Sequence, residues 1–480
     1  MQSLRTKEKR IKIPVYYPLN LKPVSENRPF FMWNRIVCKR YRCTTQAELV
    51  ARVSKTVAAG CQSREKVYQE LMGRLQFLPA GNTLLAGVAP IRPNCTVLPS
   101  VTEENLSETL ERSEGLWKAG IGIGFDLSEA DDPLAILYSL GKRNAQIDLG
   151  HRPQRGNMAL LRADHYTASA FIGVKQSQNL YNFNLSLGVD KTLASNLLSQ
   201  LSHSAWKTGD PGLVRLDLNQ GIPDNLGTPN AVHLPWMGQV KCVVPCGEQM
   251  MYDNEGCTLG AINLACPDFW LSNGELNRAV FARCVHQAVE FLDRVVDQLD
   301  IPDKILAERC LYTRRIGLGI MGWADALYGL NIPYSSSRAR RLADRIGTIF
   351  KTEAHAASRD LGDTLGQCPA LFGTDLARRN LTVTCIAPTG GISLLTPNRG
   401  FSIEPFFTEA SKISWQHHLS MQSIWQRHVD NAVSKTINLP NAFPVSDVPG
   451  IFEKVLAHNV KGVTIYRDAS RAKQPISLTG

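Results

Sequence analysis

The chain has 480 residues, 44% of them hydrophobic and 20% charged, enough for one large core or two ordinary ones, and no long polar tract reads as disordered. No apolar run of about 18 residues is free of charge, so no membrane span is expected, and the basic N-terminus lacks the apolar stretch of a secretory signal. The net charge of +10 comes from dispersed basic residues, which suit a nucleotide-sized polyanion as well as a nucleic acid.

In chain order, residues 1–76 read as a small helical region, with helical apolar spacing over 45–75. From Phe77 the texture changes to short apolar runs alternating with Gly-rich turns. Helices are expected at 104–119, 132–140, 191–207, 277–299, 314–328, 335–360 and 417–435, with β-like runs between them. Strands interrupted by helices indicate α/β architecture around one sheet or barrel. No repeat, linker or boundary follows residue 76, so 77–480 reads as a single catalytic domain.

Twelve cysteines are scattered along the chain without a disulfide-framework pattern, which points to reduced thiols and a cytoplasmic setting. Cys242 and Cys246 have no matching pair and no nearby His, so a structural zinc site is not expected there. The segment Val244-Pro245-Cys246-Gly247-Glu248 sets a thiol and a carboxylate two residues apart, and Cys257 follows closely. Residues i and i+2 of an extended segment share a face, so sulfur and carboxylate could meet one substrate. On spacing alone, a strand end with unrelated buried cysteines is the better reading.

Two Gly-rich stretches stand out. Gly120-Ile121-Gly122-Ile123-Gly124 lacks the strand-turn-helix context of a dinucleotide fingerprint, so a close backbone approach is the better reading. Pro388-Thr389-Gly390-Gly391-Ile392-Ser393 follows a β-like run at 381–386 and offers backbone donors and hydroxyls where a helix could start. That is phosphate-cradle chemistry, and equally an ordinary strand-to-helix turn.

Taken together, these segments resemble the catalytic large subunit of ribonucleotide reductase, most closely its adenosylcobalamin-dependent class II branch. The likeness runs in order through FLPAGNTLLAG at 77–87, NC at 94–95, GIGIGFDLS at 120–128, RGNMALLRADH at 155–165, NFNLSLGVD at 182–190 and DPGLVRLD at 210–217. It continues through PCGEQ at 245–249, CTLGAINL at 257–264, RRIGLGIMGWADAL at 314–327, APTGGISLL at 387–395, SIEPFF at 402–407, AVSKTINLP at 432–440 and KGVTIYRDASR at 461–471. The resemblance implies a ten-stranded α/β barrel whose central finger loop carries the radical cysteine, Cys246. Glu248 would be the general base, and Cys95 with Cys257 the reducing pair that ends as a disulfide. Thr83, Asn94 and the turn Pro388, Thr389, Gly390, Gly391, Ile392 and Ser393 would bind substrate. Also implied are a ribonucleotide substrate, adenosylcobalamin as radical source, a thioredoxin- or glutaredoxin-like dithiol reductant, a homodimer, and no direct nucleic-acid contact. The alternatives are a radical supplied by a separate metal-containing subunit, and a diverged or silent nucleotide-binding paralogue.

The chain departs from the family pattern in places. Val244 stands where an Asn amide is usual, Gly391 where Thr is usual, and Phe401-Ser402 where Ser-Gly is usual. The segment between Phe125 and Arg155 is short for the family, which puts control by an effector nucleotide in doubt; residues around 151–156 still resemble an effector-linked loop. Tyr466 is followed by Arg467, so the adjacent tyrosines of partner-dependent members are missing. No cysteine follows Cys385 to re-reduce an active-site disulfide.

Overall fold

The computed structural model describes residues 41–147, 156–177, 180–224, 228 and 231–470. The first 40 residues of the expected helical region and the effector-like segment at 151–155 lie outside them. The strands are β1 (Phe77–Pro79), β2 (Cys95–Val97), β3 (Gly122–Asp126), β4 (Asn157–Arg162), β5 (Phe183–Val189), β6 (Gly212–Arg215), β7 (Cys242–Val243), β8 (Met250–Met251), β9 (Gly256–Asn263), β10 (Ile316–Met321), β11 (Thr436–Leu439) and β12 (Gly462–Arg467).

Ten of these strands form one sheet. β2 to β6 run parallel to one another, and β6 then meets β12 antiparallel. On the other side, β9 meets β2 antiparallel and β10 parallel. Residues 382–386 close the gap: Thr384 bridges Leu318 of β10 and Ile386 bridges Val433, just ahead of β11, which pairs parallel with β12. The result is a cylinder of two parallel halves, β2-β3-β4-β5-β6 and β12-β11-(382–386)-β10-β9, joined at two antiparallel seams. Parallel strands covered on one side by helices and filled on the other read as nearly continuous apolar runs. β4 and β10 show this, with residues 157–161 and 316–321 buried throughout.

Helices coat the cylinder, and their ends follow local capping chemistry. Asp132, Asn277, Asp303 and Ser336 each accept a hydrogen bond from an amide three residues on, opening the helices Pro133–Ala145, Arg278–Val296, Lys304–Thr313 and Ser337–Leu365. The helices Gln46–Ala58 and Gln62–Gly73 share the apolar core of β1, β9 and the helix Arg278–Val296, and Arg64 pairs with Glu290 there. No helix of the described residues is long and apolar enough to cross a membrane.

Two expected helices are corrected. Residues 314–328 hold β10 followed by the helix Trp323–Gly329. IGLGIM is apolar on every face, a pattern that a buried strand and a buried helix share. The helix expected over 417–435 spans Trp415–Gln426, and residues 431–434 instead hydrogen-bond into the barrel wall through Thr384 and Ile386.

Candidate active site

The cylinder is not filled only by the side chains of its own strands. A short hairpin, β7 and β8, rises inside it with Cys246 at the tip. The tip is closed by two backbone bonds, Val244 N–H to Gln249 O at 3.0 Å and Gly247 N–H to Val244 O at 2.9 Å. The glycines that stood out in the sequence make room for this finger. A β-carbon at Gly124 would overlap the Val243 carbonyl. One at Gly122 would lie 3.1 Å from the Pro245 ring and 3.2 Å from the Cys95 sulfur, and one at Gly317 would lie 2.5 Å from Gln249 Nε2. The close-approach reading of residues 120–124 is therefore correct, and what approaches is the finger.

Polar groups from several walls hold the tip. Asn184 on β5 donates from Nδ2 to the Pro245 carbonyl at 2.8 Å, and the Ala432 amide donates to the Glu248 carbonyl at 2.9 Å. Beneath the tip, buried Arg315 pairs with buried Glu255 at 2.7 Å. Its other arm donates to Thr382 and Asn431 at 3.0 Å and to Gln249 at 3.4 Å. Sequence reasoning missed Asn184, Gln249, Glu255 and Arg315. Arg315 lay inside a segment read as helix, and Asn184 inside an ordinary-looking strand.

The finger sets its thiol and carboxyl in contrasting surroundings. Cys246 is exposed, whereas Glu248 is 2% exposed and its Oε2 has no hydrogen-bond partner. Burial pushes the Glu248 carboxyl up to about 7. Cys95 and Cys257 face each other directly across the β2–β9 seam. Opposed residues of an antiparallel pair have Cα atoms about 4.5–5.5 Å apart, within the range a disulfide spans. Cys95 is half-buried and Cys257 fully buried, and burial first and Glu248 second raise the Cys257 thiol well above its ordinary range. The Cys95 sulfur also lies beside Pro245, over Gly122. Finger and thiol pair thus share one end of the lumen.

Of the remaining expected residues, Asn94 adjoins the thiol pair, and Thr83 and the 388–393 turn lie on neighbouring segments of the wall. The Asn94 amide donates to the Cys257 carbonyl at 2.8 Å, and its side-chain oxygen accepts from Leu259 at 3.1 Å. Thr83 is fully buried with its hydroxyl unpartnered, and the adjoining Leu84 lines a small cleft with Leu395. Residues 387–393 emerge from the closing strand. Thr389 takes the left-handed conformation (φ 56°) ahead of the helical turn Gly390–Ser393. Its hydroxyl lies 2.9 Å from that of Ser393 and accepts the Ser402 amide at 2.7 Å. Gly391 is exposed, Pro388 and Gly390 are half-buried, and Ile392 and Ser393 point inward. The first amides of such a turn have no intrahelical partner and can meet an anion.

An ion pair with a buried lysine fixes the loop behind this turn. Lys435, wholly buried, bonds Glu404, the Thr436 carbonyl and His418 Nδ1. His418 Nε2 meets the Ala410 carbonyl, so Nδ1 carries the free lone pair. Burial first, then the Lys435 charge, hold His418 down to about 3, which keeps it neutral and able to accept.

Comparison with known proteins agrees with this architecture. The family model described as "Ribonucleotide reductase, barrel domain" matches residues 138–379 and 402–466, which include Cys246, Glu248 and Cys257 but neither Cys95 nor the 387–393 turn. The chain is 30% identical to a vitamin B12-dependent ribonucleoside-diphosphate reductase of Mycobacterium tuberculosis (strain CDC 1551 / Oshkosh), over 90% of this chain and 77% of that protein. A protein of the same name from Thermoplasma acidophilum is 27% identical, over 85% of this chain and 66% of its own length. Among solved structures, the Actinobacillus ureae class Id ribonucleotide reductase alpha subunit superposes with a TM-score of 0.76 at 17% identity, covering 93% of this chain and 97% of that one, a likeness of fold. With a closed barrel, a central finger and these matches together, the chain belongs to the ribonucleotide reductase family.

Proposed function

We propose that the chain reduces ribonucleoside di- or triphosphates to 2′-deoxyribonucleotides by thiyl-radical chemistry, for DNA synthesis. One juxtaposition carries the reading. An exposed thiol tops a finger inside a closed barrel, with a buried carboxyl two residues away whose Oε2 lacks a partner, and a cross-strand thiol pair close enough for that carboxyl to act on Cys257. The names of the two relatives support a diphosphate substrate and a vitamin B12-derived cofactor.

The residues present suit adenosylcobalamin. Cys246 is exposed at the finger tip, and a β-carbon at the neighbouring Gly247 would meet nothing within 4 Å, so the backbone beside the sulfur is uncovered. The open face around Cys246 and Gly247 would receive the cofactor. When bound, it supplies the radical chemistry that leaves an unpaired electron on the Cys246 sulfur.

The chain's own residues then perform the reduction. The Cys246 sulfur takes the ribose 3′ hydrogen while Glu248, as carboxylate, accepts the 3′-hydroxyl proton. The 2′-hydroxyl leaves as water on a proton from the Cys95–Cys257 pair. Those two thiols provide two electrons and two protons and end as a disulfide, and Cys246 returns its hydrogen to C3′. The sum is ribonucleotide plus two thiols giving deoxyribonucleotide, water and one disulfide. Thr83, Asn94 and residues 388–393 would hold the nucleotide, the phosphates lying on the Thr389–Ser393 turn. Half-buried Cys95 is the sulfur an external dithiol protein of thioredoxin or glutaredoxin type would reach first, and we take the working unit to be a homodimer.

The test is turnover of the purified full chain with each ribonucleotide, a dithiol and adenosylcobalamin. Deoxynucleotide formed without another protein is expected. A requirement for a separate metal-containing subunit would overturn the cofactor assignment, and no product under either condition would overturn the activity.

A further inference from the structure

A ribose presents two neighbouring hydroxyls beside the hydrogen that Cys246 would take, and inside a closed barrel each needs a polar partner. On the finger, Glu248 offers one such partner, but residue 244 is a buried valine and offers none. Asn184 comes from outside the finger. It lies on β5 between Phe183 and Leu185, which are buried on the helix-covered side, so strand alternation turns it into the lumen. There its Nδ2 donates to the carbonyl of Pro245, the residue bonded to Cys246. Unlike its strand neighbours, it is exposed. A side-chain amide has two donors and a two-fold acceptor. One donor serves the finger, which leaves an N–H and Oδ1 at the open end beside the exposed thiol.

We propose that Asn184 is the substrate-positioning residue of this site. One N–H fixes the Cys246 backbone through Pro245, and Oδ1 with the second N–H grips the ribose 2′-hydroxyl. Side-chain contact to the sugar is thereby moved from residue 244 to a barrel strand. This inference rests on the reading of Cys246 and Glu248 as the reacting pair.

The test compares equilibrium binding of cytidine 5′-diphosphate and its 2′-deoxy counterpart to the full chain, in wild type, Asn184→Ala and Val244→Asn/Asn184→Ala. Loss of one well-made hydrogen bond should weaken the ribonucleotide by on the order of tenfold while the 2′-deoxy nucleotide changes little. Val244→Asn should restore part of the difference. Equal weakening of both nucleotides, or no weakening of either, would overturn the proposal, because a purely structural asparagine cannot sense the 2′-hydroxyl. Should Asn184→Ala unfold, Asn184→Leu keeps the bulk but removes both the donors and the acceptor. It should then show the same selective loss of ribonucleotide binding, and wild-type selectivity would refute the assignment. If wild type binds both nucleotides but yields no deoxynucleotide, the proposed activity fails, while the binding comparison still decides the role of Asn184.

Discussion

Replacing Glu248 by Gln should make the protein more stable and inactive at once. The carboxyl is fully buried, its Oε2 has no partner, and burial raises it from 4.5 to about 7. A folded-state value above the unfolded one means that the folded chain holds its proton more tightly. The unfolded chain therefore loses its proton first as pH rises, so this group erodes stability from about pH 4.5 upward until it has ionised in both states, past about pH 7. Completed, that shift corresponds to about 3 kcal/mol, of which roughly 2 to 3 kcal/mol falls between about pH 5 and about pH 8. Glutamine has the same shape and never ionises. Calorimetric or urea unfolding of wild type and Glu248→Gln at those two pH values should show the variant's relative stability growing by that amount at the alkaline end. In parallel, wild-type kcat/KM should rise as pH climbs through about 7, as the base becomes carboxylate, and the variant should give no product. A stability difference that stays constant with pH, or a variant that still turns over, would refute the picture of a desolvated catalytic base.

Three further outcomes follow from the geometry. Lys435→Met leaves half-buried Glu404 and neutral His418 without their cation, so unfolding should become easier by about 1 to 3 kcal/mol, with Lys435→Met/Glu404→Leu recovering part of the loss in the same urea titration. Gly124→Ala drives a β-carbon into the Val243 carbonyl at the finger base. It should cost about 1 to 3 kcal/mol of stability and lower kcat far more than nucleotide binding, which steady-state kinetics beside calorimetry can separate. In brief iodoacetamide labelling read by mass spectrometry, Cys61 and Cys246 should react well before Cys257 and Cys284. Hydrogen bonds from Ser63 and then the Arg64 amide bring Cys61 down to about 7, and Cys246 is exposed, whereas burial raises the other two.

Much of this organisation could be read from the residues, and the exceptions share a physical cause. Capped amphipathic helices such as Arg278–Val296 and Ser337–Leu365 announce themselves through local periodicity, and their positions agree with expectation. The paired glycines of 120–124 signalled a close approach but could not say to what, because the partner, the finger, lies more than a hundred residues later. The segment around β10 was misread because a short apolar run records burial and not the shape of its backbone, and residues 431–434 leave the helix because their amides and carbonyls pair with Thr384 and Ile386, far away in sequence. Closure of the barrel rests on single bridges, Leu318 to Thr384 and Ile386 to Val433, between stretches far apart in sequence. Cys95 and Cys257 as an opposed pair came from the family resemblance, and the β2–β9 register supplies their geometry. Asn184 was invisible for a simpler reason: an asparagine on an alternating strand looks like any solvent-facing residue until the finger is seen against it.

The central claim, that the Cys246 sulfur removes the ribose 3′ hydrogen, is tested most directly with a 3′-deuterated ribonucleotide. Turnover by the full chain with adenosylcobalamin and a dithiol should be slower for the deuterated substrate, and Cys246→Ser should form no deoxynucleotide while still binding the nucleotide. Product formation by Cys246→Ser at the wild-type rate would contradict the account.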